Sequence, residues 1–313
     1  MSNTHRHPPA LEVVGVRYRG SAPALDDERA LDAYIAAAVY WEGAAQVSYG
    51  EPLLPPARRS DDPPTALGQI CAAIADAVAA GRRAGRPVLI TGGDCTHSVG
   101  VLGGLQLAHG PTARIGLVWL DAHGDFNTPR TTLSGMLGGM PVAVCAGLAH
   151  PSWRELAGVS APLPTDRILL VDVRNLDVPE AQLIHATDAV IAAVEPGRMG
   201  VELAAAVADL SARCDLIYLH VDSDILDASL VPNHGTREPD GPALPAVAQA
   251  IQLVMATGKV AAFAVVSVYG ADEGRDVSVA SGLSLIRAGL DAWTVVGGRG
   301  TVDGGRGTVK ALL

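Results

Sequence analysis

Several short runs of this chain are apolar at nearly every position and rich in Val, Ile and Leu: Leu11–Tyr18, Pro87–Thr91, Ile115–Leu120, Ile168–Val173, Leu216–Val221, Val260–Val268 and Trp293–Val296. A strand with one wet face alternates apolar and polar residues, because successive side chains point to opposite faces. Continuous apolar runs instead predict strands buried on both faces, as in a parallel sheet covered by helices on either side. The intervening segments are longer and rich in Ala and Leu, and predict helices over Asp26–Val39, Thr65–Ala84, Val99–His109, Glu202–Arg213, Leu244–Ala256 and Val279–Ala288. In Thr65–Ala84, Leu67, Ile70, Cys71, Ile74 and Val78 recur at helical spacing, and Gly85 follows as a stop signal. Strands alternating with helices read as a doubly wound α/β fold.

At 313 residues the chain fits two domains or one large α/β domain. Glu51–Pro64 carries Pro52, Pro55, Pro56, Pro63 and Pro64 and reads as a surface loop. The residues before it supply one predicted strand and one helix, too little for a core of their own, so a single domain over residues 1–313 is expected. With 49% hydrophobic and 18% charged residues, the chain is too apolar to be disordered. A net charge of −10, with no Lys/Arg run, argues against a nucleic-acid partner. The longest apolar stretches fall short of the ~18 residues of a membrane span, so no membrane association is expected. The N-terminus lacks the apolar core of a signal peptide, and Cys71, Cys95, Cys145 and Cys214 show no CxxC spacing. Both features point to a cytoplasmic protein with reduced thiols.

Ligands of open parallel sheets bind beyond the carboxyl ends of the strands. Here those ends carry chemistry. Pro87–Thr91 runs into Gly92-Gly93-Asp94-Cys95-Thr96-His97, Ile115–Leu120 into Asp121-Ala122-His123-Gly124-Asp125-Phe126-Asn127, Ile168–Val173 into Arg174-Asn175-Leu176-Asp177, and Leu216–Val221 into Asp222-Ser223-Asp224. In D-x-H-x-D and D-x-D, alternate residues of an extended chain face one side, so Asp121, His123 and Asp125 can meet Asp222 and Asp224. Carboxylates gathered so closely repel unless cations neutralise them. Oxygen and imidazole donors suit Mn²⁺, Zn²⁺, Fe²⁺ or Ni²⁺. Two ions sharing bridging carboxylates would make a nucleophile of a water between them. The glycine-rich Gly297–Gly307 reads as a turn, since too few residues follow it for the helix of a phosphate loop. His5 and His7 read as solvated, and His97 as turned away into a helix.

These segments resemble the arginase–agmatinase (ureohydrolase) family. Gly92-Gly-Asp-Cys-Thr is similar to its G-G-D-H-S, Asp121-Ala-His-Gly-Asp-Phe-Asn127 to its D-A-H-x-D-x-N, and Asp222-Ser-Asp-Ile-Leu-Asp227 to its D-x-D-x-x-D. The resemblance implies a three-layer α/β/α domain with a mostly parallel sheet, two Mn²⁺ ions, and a homo-oligomer, trimer or hexamer. It implies that Asp121 and Asp222 bridge both metals, that Asp125 serves the first metal and holds the nucleophile, and that His123 and Asp224 serve the second. Asn127-Thr-Pro-Arg-Thr-Thr-Leu-Ser134-Gly135 resembles the arginase loop whose Asn and Ser hold a substrate α-carboxylate, and Asp177 the acid that contacts the α-amino group.

Three positions depart from the family pattern. Cys95 stands where the family has its first metal-ligand His, which implies a first site that holds Mn²⁺ weakly or is part-occupied. Gly138 stands at the proton-shuttle His, and Ser267 at the guanidinium-binding Glu. The implied activity is that of an amidinohydrolase: hydrolysis of a linear, non-peptide C–N bond in a guanidino or amidino α-amino acid, such as Nω-hydroxyarginine or arginine. The alternative is an arginase-fold binding or scaffold protein without catalysis.

Overall fold

The structure, a computed structural model, describes residues 8–54 and 59–293. Its centre is a nine-stranded sheet built from β1 (Ala10–Val16), β4 (Gln46–Gly50), β5 (Val88–Gly92), β6 (Ile115–Leu120), β7 (Ile168–Val171), β8 (Val190–Ala193), β9 (Val201–Glu202), β10 (Leu216–Asp222) and β11 (Val260–Val266). The strand order is β4-β1-β5-β11-β10-β6-β7-β8-β9. Every pairing in it is parallel. A separate antiparallel hairpin joins β2 (Tyr18–Arg19) to β3 (Ala22–Pro23). In β5, β6, β7 and β11 every residue is buried, which is why these runs carry no polar alternation.

Helices cover both faces. Val14, Ile90, Leu117 and Ala264 point to one face, with α2 (Pro63–Arg83), α3 (Ser98–His109), α4 (Pro141–Cys145) and α5 (Pro151–Leu156). Val13, Leu89, Val118 and Val265 point to the other, with α1 (Leu31–Ala36), α7 (Leu203–Arg213), α8 (Leu244–Met255) and α9 (Arg275–Ala292). A further helix, α6 (Val178–His185), follows β7. By length and composition α2 could cross a membrane, but 56% of its most apolar window is buried inside this fold.

Several boundaries differ from the sequence expectation, each for a local reason. Asp26–Val39 is not one helix: Asp26, Ala30 and Ala38 take positive φ, leaving the single helix α1 and a short 3-10 turn at Val39–Trp41. The helix expected from Thr65 starts at Pro63, because Asp62 caps it (Oδ2 accepting from Thr65 N at 3.1 Å) and proline suits a first helical turn. The strand expected to reach Val173 ends at Val171, where Asp172 turns to φ 63°, and β11 ends at Val266, where Ser267 turns to φ 58°. Glu202 caps α7 and belongs to β9. Trp293 follows α9, its indole N–H donating to Val260 O at 3.0 Å, and is not a strand residue. The rest of that expected strand, Gly297–Gly307, His5 and His7 lie outside the described residues.

The α2–α3 contact depends on Gly104. A Cβ there would sit 2.6 Å from Val78 Cβ and 2.7 Å from Ala75 O. Alanine gains about 1 kcal/mol of helix propensity over glycine, whereas overpacking against a backbone oxygen costs about 1–3 kcal/mol. Gly104→Ala is therefore expected to lower stability by up to about 2 kcal/mol, read as a lower urea midpoint with an unchanged slope; a higher midpoint contradicts this packing.

Candidate metal centre

Four central strands, β5-β11-β10-β6, end side by side, and a cleft of about 760 Å³ opens over their carboxyl ends. After β5, Gly92 and Gly93 both take positive φ, at 73° and 64°. A Cβ on Gly92 would lie 2.7 Å from Val16 O, so only glycine allows this turn. Asp94 then caps a 3-10 turn by accepting from Thr96 N at 3.1 Å, and this places Cys95 in the cleft. His97 is committed to backbone: its Nδ1 accepts from Asp94 N at 3.0 Å and its Nε2 lies 3.0 Å from Gly20 O.

Asp121 and Asp125, after β6, Asp222, the last residue of β10, and Asp224 just beyond it are each at most 6% exposed. His123 Nδ1 lies 3.3 Å from Asp121 Oδ1 and 3.2 Å from Asp224 Oδ2. Cys95 Sγ lies 3.0 Å from Asp222 Oδ2 and 3.4 Å from Asp121 Oδ2. Ser267 Oγ donates to Asp222 Oδ2 at 2.5 Å. At the rim, Asn127 Nδ2 donates to Asp177 Oδ2 at 3.1 Å, and Asp177 Oδ2 also accepts from Leu133 N at 3.2 Å. Ser134 lines the same cleft but is exposed. The structure thus brings the metal-ligand candidates together, with the α-amino-acid candidates beside them.

Sequence reasoning passed over four residues of this site. Glu238 Oε1 lies 3.3 Å from His123 Nε2 and accepts from Asn175 Nδ2 at 2.8 Å. Thr236 Oγ1 donates to Asp224 Oδ2 at 3.3 Å. His234, 3% exposed, points Nε2 to within 3.4 Å of Asp222 Oδ1 without making a hydrogen bond. His220, beneath Cys95, is 0% exposed. The available signal was a His and a Glu in the turn-rich Pro232-Asn-His-Gly-Thr-Arg-Glu238, directly after the D-x-D segment.

The electrostatics call for a cation. Burial, followed by mutual repulsion, pushes the Asp121 and Asp125 carboxyls well above the usual range. Burial and the Asp222 and Asp121 carboxylates push the Cys95 thiol up. Burial alone would also raise Asp222, but His234 beside it holds its carboxyl below the usual range. Burial lowers the His123 imidazole, but Asp121 and Asp224 outweigh this and raise it.

The chain matches the arginase family over residues 16–289. It belongs to the arginase family. Among its relatives, Bacillus caldovelox arginase is 36% identical over 155 residues, 49% of this chain and 51% of that protein. The N(omega)-hydroxy-L-arginine amidinohydrolase of Streptomyces lavendulae is 36% identical over 136 residues, 43% of this chain and 44% of that protein. In such alignments the chain spans about half the length of the curated relatives it matches. The solved structure of Entamoeba histolytica arginase with L-ornithine superposes with a TM-score of 0.79 at 20% identity, covering 92% of this chain and 99% of that one. At that identity the likeness concerns the fold.

The donor set fits divalent metal. Donor atoms of Asp121, His123 and Asp224 lie within 4.8 Å of one another. His123 turns Nδ1 to the carboxylates and Nε2 to Glu238, the carboxylate–histidine pairing that orients metal-bound imidazoles. Burial and mutual repulsion favour the protonated forms of Asp121, Asp125 and Cys95 when no cation is bound, so metal loading is expected to displace protons. Divalent-metal affinity is expected to rise with pH. Calorimetric titration in buffers of different ionisation enthalpy should count protons released, and a pH-independent affinity with no proton release contradicts the electrostatics.

Proposed function

We propose that this protein is a hydrolase of a linear, non-peptide C–N bond, acting on a guanidino or amidino α-amino acid through two divalent metal ions, most simply Mn²⁺. The observation that carries the reading is the convergence of Cys95, Asp121, His123, Asp125, Asp222 and Asp224 under one cleft, with the Asn127–Asp177 pair at its rim. The family resemblance extends the reading to a cytoplasmic homo-oligomer, trimer or hexamer, which light scattering after size exclusion measures.

When bound, the ions would neutralise the buried carboxylates and activate water toward a trigonal carbon. Asp121, Asp222, Asp125 and Cys95 would hold the first ion, and Asp121, Asp222, His123 and Asp224 the second. Asp125, held at φ 47° with its carbonyl accepting from Val142 N at 2.9 Å, would orient the attacking oxygen and take its proton. Asn127, Ser134 and Asp177 would fix the α-amino-acid end.

Gly138 has no side chain with which to pass a proton to the leaving nitrogen. His234 offers a substitute on the other wall. Thr236 N donates to its Nδ1 at 3.2 Å, so Nε2 carries a hydrogen into the cup with no hydrogen-bond partner among the described residues. That hydrogen is available to a leaving nitrogen or to charge developing at the reacting carbon.

With Ser267 at the position of the family's guanidinium-binding Glu, the reacting end of the cleft lacks that carboxylate. Ser267 Oγ is already committed to Asp222. Arg29, 1% exposed and packed 5.0 Å over the Tyr269 ring, lines the same cleft. Its Nε and Nη1 have no hydrogen-bond partner among the described residues. Its Nη2 lies 3.7 Å from Glu28 Oε1 and 3.9 Å from Asp94 Oδ2, which leaves Nε and Nη1 as donors; an Nω-hydroxyguanidine, less basic than a guanidinium and carrying an acceptor oxygen, suits them better. The relative named for N(omega)-hydroxy-L-arginine supports the same choice.

A Mn²⁺-loaded enzyme assayed on arginine, Nω-hydroxyarginine, agmatine, guanidinobutyrate, formiminoglutamate and simple amides, with urea, amine and ammonia release as readout, tests the proposal. Nω-hydroxyarginine is expected to exceed arginine in kcat/KM by roughly 10–150-fold, the worth of one missing charge-assisted hydrogen bond of ~1.5–3 kcal/mol. Arginine turned over as well as Nω-hydroxyarginine removes the specificity argument, and no turnover of any C–N substrate removes the hydrolase reading.

A further inference from the structure

Beneath the cleft, β10 presents Tyr218, His220 and Asp222 at alternate positions, and therefore on one face. All three are buried. Across the sheet His220 is in register with Trp119 of β6, and the two rings stack at 3.7 Å between centroids and 6° between planes. The stack fixes the plane of the imidazole. Its two nitrogens then have one neighbour each: Nδ1 lies 2.9 Å from Tyr218 Oη, and Nε2 lies 3.3 Å from Cys95 Sγ.

Hydrogen accounting decides which way this line runs. Tyr218 Oη is buried, and among the described residues His220 Nδ1 is its one hydrogen-bond partner. A buried phenol that donates to nothing is costly. If Nδ1 carried a hydrogen toward the phenol oxygen, the phenol hydrogen would have no acceptor. The satisfied arrangement has Tyr218 donating to Nδ1, which leaves the ring hydrogen on Nε2, aimed at Cys95 Sγ. A doubly protonated ring would present the same Nε2–H. In either case Nε2 has no lone pair free for a metal, although it stands among candidate donor atoms with Cys95 and Asp121.

We infer that His220 is a positioning residue: anchored by Tyr218 and by its stack on Trp119, it donates a hydrogen bond from Nε2 to Cys95 Sγ and holds that sulfur as a ligand of the first metal ion. This rests on the proposed metal centre and adds to it. A cysteine is too short to copy a histidine ligand, and its sulfur lies at the junction of the Asp121 and Asp222 carboxylates. A donor on its far side offsets the charge crowded onto it and sets its direction toward the ion. Partners of this kind typically change metal affinity by about 10–100-fold.

Cobalt reports the sulfur directly, because a Co²⁺–thiolate bond gives a near-ultraviolet charge-transfer band that carboxylate and imidazole ligands do not. The full chain is titrated with Co²⁺, following that band and total bound metal together, for wild type, Cys95→Ser, His220→Phe and Tyr218→Phe. Wild type is expected to show the band and Cys95→Ser to lose it while retaining metal at the second site. His220→Phe, which keeps a ring against Trp119 but removes the donor, should retain the band, move it to longer wavelength as the sulfur loses its hydrogen bond, and weaken the first site about 10–100-fold. Tyr218→Phe, a milder change, should shift the band the same way by a smaller amount, so the inference remains testable if His220→Phe fails to fold. A band of unchanged position and affinity in both variants overturns it. A wild type that binds Co²⁺ without the band overturns it and leaves the hydrolase reading standing; a wild type that binds no divalent metal overturns both.

Discussion

The constraint on which the rest of this structure depends is the enforced proximity of like charges. Asp121 and Asp125 follow β6, Asp222 ends β10 and Asp224 follows it, and these strands are paired neighbours. Strand spacing of about 4.8 Å leaves their end residues no room to separate. Sequence distance is no remedy, because the sheet order inserts β10 beside β6 although about a hundred residues intervene. Isolated buried carboxylates are expensive, and burial with mutual repulsion raises the Asp121 and Asp125 carboxyls well above their usual range. A chain that keeps such an arrangement gains nothing in stability from it, which is why the acids point to a bound cation more firmly than any feature of the helical layers.

The surrounding elements make the arrangement geometrically possible. Glu180, buried at the start of α6, accepts from Phe126 N at 2.9 Å and Asp177 N at 3.3 Å, tying the β6 loop to the helix that carries the rim acid. Gly124 permits that approach: a Cβ there would lie 2.9 Å from Glu180 Oε1 and 2.7 Å from Leu176 Cδ2. Asp125 and Ser267 both hold positive φ next to the centre, a local strain sustained by the packed strands beneath them. Ser223 Oγ donating to Ser267 O at 2.8 Å and Ser267 N donating to Gly93 O at 3.2 Å lace three strand ends together.

What the sequence revealed follows from the same physics. Buried parallel strands need unbroken apolar runs, so β5, β6, β10 and β11, the strands that carry the site, stood out. The edge strands did not: β4 is Gln46–Gly50 with no buried residue, and β9 has two residues, so neither leaves a hydrophobic signature. The acids were legible because D-x-H-x-D and D-x-D are read along one extended segment. His234 and Glu238 were not, since their approach to Asp222 and His123 depends on how the loop after β10 folds back. His220 was hidden for another reason: inside an apolar strand it reads as a core residue, and only the register with Trp119 and the reach of Cys95 give it a role. The segment Asp26–Val39 misled because its apolar spacing is helical while three of its residues adopt left-handed backbone.

The two halves of the proposed centre are chemically unlike. His123 faces its carboxylates with a carboxylate, Glu238, behind it, so the second position is an oxygen–nitrogen site with a donor strengthened from the rear. Cys95 faces the same carboxylates with an imidazole behind it, so the first position is an oxygen–sulfur site with a donor moderated from the rear. Hard ions such as Mn²⁺ prefer the former, and softer ions such as Zn²⁺ or Fe²⁺ tolerate the latter. If both ions were held by Asp121 and Asp222, as proposed, the two positions would be coupled, because each ion would neutralise a carboxylate that otherwise repels the other's ligands. In the proposed centre an ion at the second position would lower the cost of deprotonating Cys95, so the imidazole-backed sulfur would become a competent ligand once that neighbouring charge is in place.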